Sequence, residues 1–381
     1  MKRTVYFLIV ALALLSACNG SAKKEANMPD GTDSLCAHTV PIRYAKGFSV
    51  RDYGAYRLVD VSDPLDTASV TYHYALVPRG KRPMGIPAEY TLIETPVRRV
   101  VCMTALQMSN FIKLDATDRI VGISSTRFLY NAAIKQQLDQ KRTSRIGIEG
   151  NFDNEVILAI NPDVIFVSPF KKGGYEAIKN LGLPLVTFLG YKESSPLGQA
   201  EWIKFTAMLL GLEEQANARF NAIEERYNEL KSLAAKASLR PTVLSGELHG
   251  GNWYVVGGKS YLAHLFEDAG AQYFMQNDNE SGGFYVDFET VYSQGANTDF
   301  WRVVNSFDGT FTYDAMRQTD SRYADFKAFK EKKVIYCNLR SKPFYENTPV
   351  EPEVVLADLI KAFHPDLLPD YAPVYYELMQ L

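Results

Sequence analysis

From residue 99 onward, short apolar runs alternate with longer amphipathic stretches. The runs at 99–103, 120–123, 164–167 and 185–188 are only four or five residues long. That length, with little internal polar alternation, predicts strands buried on both faces. The stretches between them, 104–114, 130–137, 154–160 and 174–181, read as helices. Alternation of this kind predicts βα units built on a parallel sheet. A second round opens with a strand at 242–245 and continues with helices at 260–269 and 287–294. Strands at 299–304 and 334–337 follow, and a helix at about 354–363 ends it.

A long helical stretch separates the two rounds. Ser195 before Pro196 forms an N-cap and first-turn pair, and Gly211 marks the end of that helix. The next helix, about 213–237, carries Ala216, Phe220, Ile223, Tyr227, Leu230 and Ala234. Their spacing alternates four and three, so one apolar stripe runs along it. At 1.5 Å per residue it would reach about 37 Å, enough to serve as a spine between two lobes. An internal echo supports two lobes: Glu155-Val156-Ile157-Leu158 and Glu289-Thr290-Val291-Tyr292 each precede a strand, expected after Asp163 and Asn297 at the same offset. Clefts between such halves are where small molecules bind.

The N-terminus changes the picture. Lys2 and Arg3 precede an apolar run at 5–15 that is too short to span a bilayer. Leu15-Ser16-Ala17 then leads into Cys18, which resembles the processing site of a bacterial lipoprotein precursor. The resemblance implies export to the cell envelope, facing the periplasm, with acyl chains on Cys18. The other readings of these residues are an ordinary signal peptide with an unmodified cysteine, or a short membrane anchor.

Composition adds limits. With the signal removed, roughly 360 residues remain, enough for two domains. The net charge of -3 offers no basic field for nucleic acid. Aromatic residues make up 12%, an unusual share, so some rings are expected to face solvent or a ligand. Cys102 and Cys337 fall in strand-like runs as small buried hydrophobes, and Cys36 lies in the tether. No CxxC or Cys/His spacing suggests a metal site, and no cofactor is expected. Gly257-Gly258-Lys259-Ser260 imitates the end of a phosphate-binding loop, but Trp253 stands where its first glycine belongs. No HExxH pair and no GxSxG elbow occur, so no catalytic residues are assigned.

Four stretches resemble the substrate-binding proteins of bacterial ABC importers for metal chelates, the class serving iron-siderophores, haem and vitamin B12. They are 96–101, 154–167 with its Asn161-Pro162-Asp163 turn, 256–271, and 286–289. The resemblance runs from about residue 96 to the C-terminus. It implies an α/β fold of two Rossmann-like lobes joined by one long α-helix. The expected division is a signal peptide at 1–17, a lipidated tether at 18–36 and a β-rich extension at 37–95. Lobes at 96–195 and 238–381 then flank the helical segment at 196–237. The extension is longer than the family needs; strands are expected at 70–74 and 90–93, with a turn at 79–83. The resemblance further implies docking on an ABC permease, with its ATPase, through Glu155 and Glu289. Both also sit in first helical turns, where a negative charge suits the helix dipole. The chain is expected to be a monomer without enzymatic activity.

In open α/β sheets, ligands meet the loops at the carboxyl ends of the strands. On that basis Arg127, Phe170, Tyr191, Trp253, Arg340 and Tyr345 are the expected ligand contacts: rings to bury a bulky chelate, arginines to pair with its oxygens. His249 is a possible haem-iron ligand. A ferric siderophore is the first expectation, with corrinoid or haem next. An enzyme that demetallates a chelate, or a surface-interaction lipoprotein, is the competing expectation.

Overall fold

The computed structural model describes residues 37–379 except 67, 69, 70, 149 and 170–174. Cys18, Cys36 and Phe170, with the expected signal and tether, lie outside the described residues.

The first round of apolar runs forms a five-stranded, all-parallel sheet. Its order is Leu185–Thr187, Val164–Val167, Val100–Cys102, Ile120–Ile123, Ser144–Arg145. The first of these five strands in chain order lies at the centre, so the crossovers diverge on either side of it. Every residue of Val100–Cys102, Ile120–Ile123 and Val164–Val167 is buried, as helices on both faces require. The second sheet runs Gln272–Tyr273, Thr242–Ser245, Phe300–Asn305, Val334–Asn338, Glu377–Leu378; only the last strand is antiparallel. Cys102 and Cys337 are buried free thiols, as expected.

The stretch around Trp253 departs from expectation. Residues 247–253, which hold the expected ligand contact Trp253, start a three-stranded antiparallel sheet of Leu248–His249, Asn252–Val256 and Gly283–Val286. Gly250 and Gly251 turn the hairpin with φ of 58° and 87°, values that glycine adopts without a Cβ clash. Its Trp253 is driven into an aromatic core with Trp301, Tyr323 and Phe326.

The internal echo is physical, though offset. Asp153 and Asp287 each cap a helix, accepting from the backbone N–H three residues on. Further along, the Asp163 carboxylate accepts from the N–H of Arg98 and Arg99, at the foot of the neighbouring strand. Asp299 does the same for Thr242 in the second sheet. The second strand begins at Phe300 rather than after Asn297, because Thr298 and Asp299 lengthen the turn.

The helix Pro196–Leu210 opens as predicted: Ser195 Oγ accepts from Gly198 N at 2.9 Å, and Gly211 closes it at φ 71°. The following helix, Glu213–Ala234, buries the six residues of the predicted stripe. Near its start, Glu213 pairs with Arg57 and Arg219 with Asp115. Near its end, the Tyr227 hydroxyl donates to Asp268 at 2.6 Å and Lys231 pairs with Asp268 at 2.7 Å. The helix therefore touches residues that belong to both rounds of βα units.

Residues 37–95 form a five-stranded sheet, larger than the two strands expected. It runs His38–Thr39, Phe48–Asp52, Arg57–Val61, Tyr72–Pro78, Thr91–Thr95, antiparallel except for the last pair. Two carboxylates fasten it to the helix Pro196–Leu210. Fully buried Glu201 accepts from the backbone N–H of Arg43, Tyr44 and Ala45 at 2.7–3.0 Å, and from Lys204 at 2.7 Å. Glu193 accepts from the N–H of Lys46 and Gly47, both at 2.9 Å, and from the Trp202 indole at 3.0 Å. Charge-assisted bonds of this kind offset the cost of burying the carboxylates.

Candidate functional site

At the carboxyl ends of the first sheet, buried Gln107 ties the two central strands together. Its Oε1 accepts from Met103 N at 2.7 Å, and its Nε2 donates to Ser168 Oγ at 2.8 Å. Thr104 and Gln107 complete a capping box that starts the helix Ala105–Lys113. The loop after Ile120–Ile123 then rises through Ser124, whose hydroxyl donates to the Met103 carbonyl. It ends in exposed Arg127 and in Phe128, which sits at φ 65°. A bulky residue seldom takes that left-handed conformation.

In the middle of the second sheet, Arg302 is the one charged side chain of Phe300–Asn305 and is only partly covered. Its Nη1 donates to Ser245 Oγ at 3.1 Å, and its Nε and Nη2 donate to the Tyr376 hydroxyl at 2.9 and 2.5 Å. At the carboxyl end of that strand, Asn305 Nδ2 donates to buried Glu247 at 3.2 Å, and burial pushes the Glu247 carboxyl above the usual range.

Loops from the two sheets meet. The Phe128 ring lies 5.6 Å from Tyr345, edge to face. The Tyr130 hydroxyl donates to the Leu339 carbonyl. Buried Glu346 accepts from the backbone N–H of Tyr130 and Asn131 at 2.6 and 2.9 Å. Burial raises the Glu346 carboxyl, and those two N–H groups oppose the rise. Burial likewise pushes the Tyr345 hydroxyl up, while the charges of Arg302 and Arg127 pull it down. Tyr345 is thus within electrostatic reach of an arginine from each side.

Of the expected ligand residues, the structure brings Arg127 and Tyr345 together. Arg340 is exposed nearby and faces Asp308 at 3.6 Å. Tyr191 lies elsewhere, half-buried, with Asp63, Tyr72 and Tyr175 as its electrostatic neighbours, on the flank of the N-terminal sheet. Trp253 has no exposed surface; it stacks on Trp301 at 5.5 Å, and its indole N–H donates to Ser245 O at 3.0 Å. A side chain with no surface cannot touch a ligand, so the placement of Trp253 is corrected to the core. Exposed His249 stands 3.9 Å from Glu247. Among the described residues no three His, Cys, Asp or Glu side chains gather to hold a metal ion. Sequence reasoning missed Arg302 and Phe128. The signal for Arg302 was a charge inside an otherwise apolar strand, which is rarely buried without a purpose.

The model of the family described as "Periplasmic binding protein" matches residues 100–340. The chain belongs to the periplasmic binding protein family. An uncharacterized lipoprotein of Methanocaldococcus jannaschii is 24% identical to it, over 94% of this chain and 91% of the relative. A periplasmic heme binding protein of Pseudomonas aeruginosa superposes with a TM-score of 0.59 at 18% identity, covering 75% of this chain and 99% of that one. The Haemophilus influenzae molybdate periplasmic binding protein MolA gives 0.56 at 20% identity, covering 72% and 88%. These likenesses show the fold, that of ABC-transporter substrate-binding proteins. The family consists of binding proteins rather than enzymes, and it implies an ABC permease as partner.

Within this periplasmic binding protein fold, Glu155 and Glu289 occupy matching places. Each is exposed and second in a helix, after Asp153 or Asp287 as the cap. Each is followed three residues later by an exposed apolar side chain, Leu158 at 52% and Tyr292 at 39%. Glu155 stands open, whereas Arg322 approaches Glu289 at 3.9 Å and lies over the Phe288 ring at 3.8 Å.

Proposed function

We propose that this protein is the lipid-anchored receptor of an ABC importer, capturing a metal chelate and passing it to the permease. The observation that carries this is the meeting of loops from the carboxyl ends of two parallel sheets, through Phe128 and Tyr345 and through Tyr130 and Glu346. Carboxyl-end loops are where open α/β sheets receive ligands. Here two such sets converge from different sheets. Binding involves no chemical change; rings and a few charges supply the selectivity. Glu155 and Glu289 present one carboxylate on each half to arginines of the permease, whose ATPase then drives uptake. Cys18 carries the acyl chains that hold the protein at the membrane, on its periplasmic side. A ferric siderophore is the favoured cargo, ahead of haem or a corrinoid.

The absorption spectrum of the protein purified from its native host tests the reading. Iron-siderophores, haem and corrinoids have distinct visible bands. Stoichiometric binding of one of them, recovered unchanged, supports the receptor; a chemically altered chelate points instead to an enzyme.

A further inference from the structure

Resting on the lipid-anchor reading above, we propose that the turn of the N-terminal sheet at residues 79–84 is a membrane contact. Lys81, Arg82 and Met84 settle on an anionic bilayer surface and fix how the tethered protein stands on it.

The pairing registers place this turn where the chain enters the sheet. His38 pairs with Asp52, Asp52 with Arg57 and Arg57 with Leu76, so these four lie in one row across the strands. Pro78, paired with Thr95, stands two residues beyond that row and leads straight into the turn. With strands about 4.8 Å apart, residue 38 and the turn are separated sideways by about 14 Å. The residues from Cys18 to Cys36 number 19, so acyl chains on Cys18 hold this end of the sheet on a leash of at most about 65 Å.

The turn has the chemistry of a lipid contact. Met84 is 90% exposed, the highest value among the large apolar side chains of the described residues. Its backbone is pinned on both sides. Lys81 N donates to Pro78 O and Arg79 N to Thr95 O, both at 2.9 Å, and the Tyr56 hydroxyl donates to Gly85 O at 3.3 Å. Little freedom is therefore lost when the Met84 side chain enters an interface. Four cations belong to the same end: Arg79, Lys81, Arg82 and Arg98. Arg79 donates to Pro96 O and Asp163, each at 3.2 Å, and Asp163 accepts from the Arg98 N–H, which ties the turn to the foot of the first parallel sheet. Two carboxylates oppose them: Asp163, and Glu94 at 2.8 Å from Arg82 and 3.5 Å from Arg79. Arg57, also at this end, is spent on Asp52 and Glu213. Among the described residues Lys81 and Arg98 form no ion pair, and Arg82 is 70% exposed despite its pair. This end is thus positive in a chain whose net charge is -3. An anionic leaflet attracts such cations while the protruding apolar side chain enters the interface. Beside the leash, even a weak contact acts at high effective concentration and selects one stance.

The test uses the lipidated full chain reconstituted into vesicles. Cys102 and Cys337 are buried, so in a Cys36→Ser background Met84→Cys takes a polarity-sensitive thiol label. Leu239→Cys, at a position 77% exposed beyond the long helix, is the reference. In vesicles of phosphatidylcholine with phosphatidylglycerol the label at 84 should shift to the blue and resist an aqueous quencher. In phosphatidylcholine alone it should do neither, and the reference should stay in water in both. Lys81→Gln with Arg82→Gln should lower the ratio of inserted to free turns roughly thirtyfold, the attraction of two cations to an anionic leaflet. Added salt should act in the same direction. The thermal melt of that variant should match the parent's, since both side chains are exposed. A label at 84 that stays in water on anionic vesicles, with mass spectrometry finding the acyl chains on Cys18, overturns the contact and leaves the anchor standing. Equal insertion into neutral and anionic vesicles, or insertion of the reference label as well, also overturns it. A chain without acyl chains on Cys18 overturns the anchor reading and the contact together.

Discussion

Glu155 and Glu289 stand at the same step of two helices: each is the second residue after an aspartate whose carboxylate caps the first turn. The cap satisfies a first-turn backbone N–H, and both glutamate side chains stay exposed. If they meet arginines of the permease, reversing both charges should stop transport and nothing else. Glu155→Arg combined with Glu289→Arg should cut uptake by vesicles carrying the permease at least tenfold, with the affinity for chelate unchanged. Undiminished uptake would refute the docking assignment.

Glu346 joins the two sets of loops through two backbone N–H groups. Glu346→Gln removes the charge and turns one acceptor oxygen into a donor facing an N–H. A loss of about 1.5–3 kcal/mol is expected, read from urea unfolding. A loss below about 0.5 kcal/mol would mean that the loops meet through ring packing alone.

The pH dependence of stability should carry a signature of Glu353. Burial raises its carboxyl from 4.5 to about 7, and neighbouring Glu351 adds to the rise while Lys113 opposes it. A folded pKa above the unfolded one gives stability that is full below about 4.5 and is lost as the pH climbs through about 7. Glu353→Gln keeps the neutral form throughout. Its Tm should equal the parent's at pH 4.5 and exceed it at pH 8; a constant difference across that range would disprove the assignment.

Trp253 separates packing from recognition. Trp253→Ala should cost about 3–5 kcal/mol as a core truncation. Trp253→Phe should be milder and leave the affinity for any chelate unchanged. A binding defect in the Phe variant at full folding would return the residue to the site.

The sequence conveyed the parallel sheets well, because strands covered on both faces are written as unbroken apolar runs such as Val164–Val167. The stripe from Ala216 to Ala234 was equally legible, since a surface helix writes its buried face at helical spacing. Trp253 was misread because its aromatic ring suited a ligand as well as a core, and only the hairpin turned by Gly250 and Gly251 decides which. The N-terminal sheet was underestimated for a related reason. Phe48–Asp52 and Arg57–Val61 mix charge into short strands, and what holds the segment down is remote: Glu201 lies 156 to 158 positions further along the chain. Arg302 and Tyr376 are likewise 74 residues apart, so their pairing left no local trace.

The grip of Glu193 and Glu201 on residues 43–47 has a mechanical consequence. A tug arriving from the N-terminal side would be borne by that knot of backbone bonds on the helix Pro196–Leu210, upstream of both parallel sheets. Strain entering the described residues from that side would thus meet the knot before either parallel sheet.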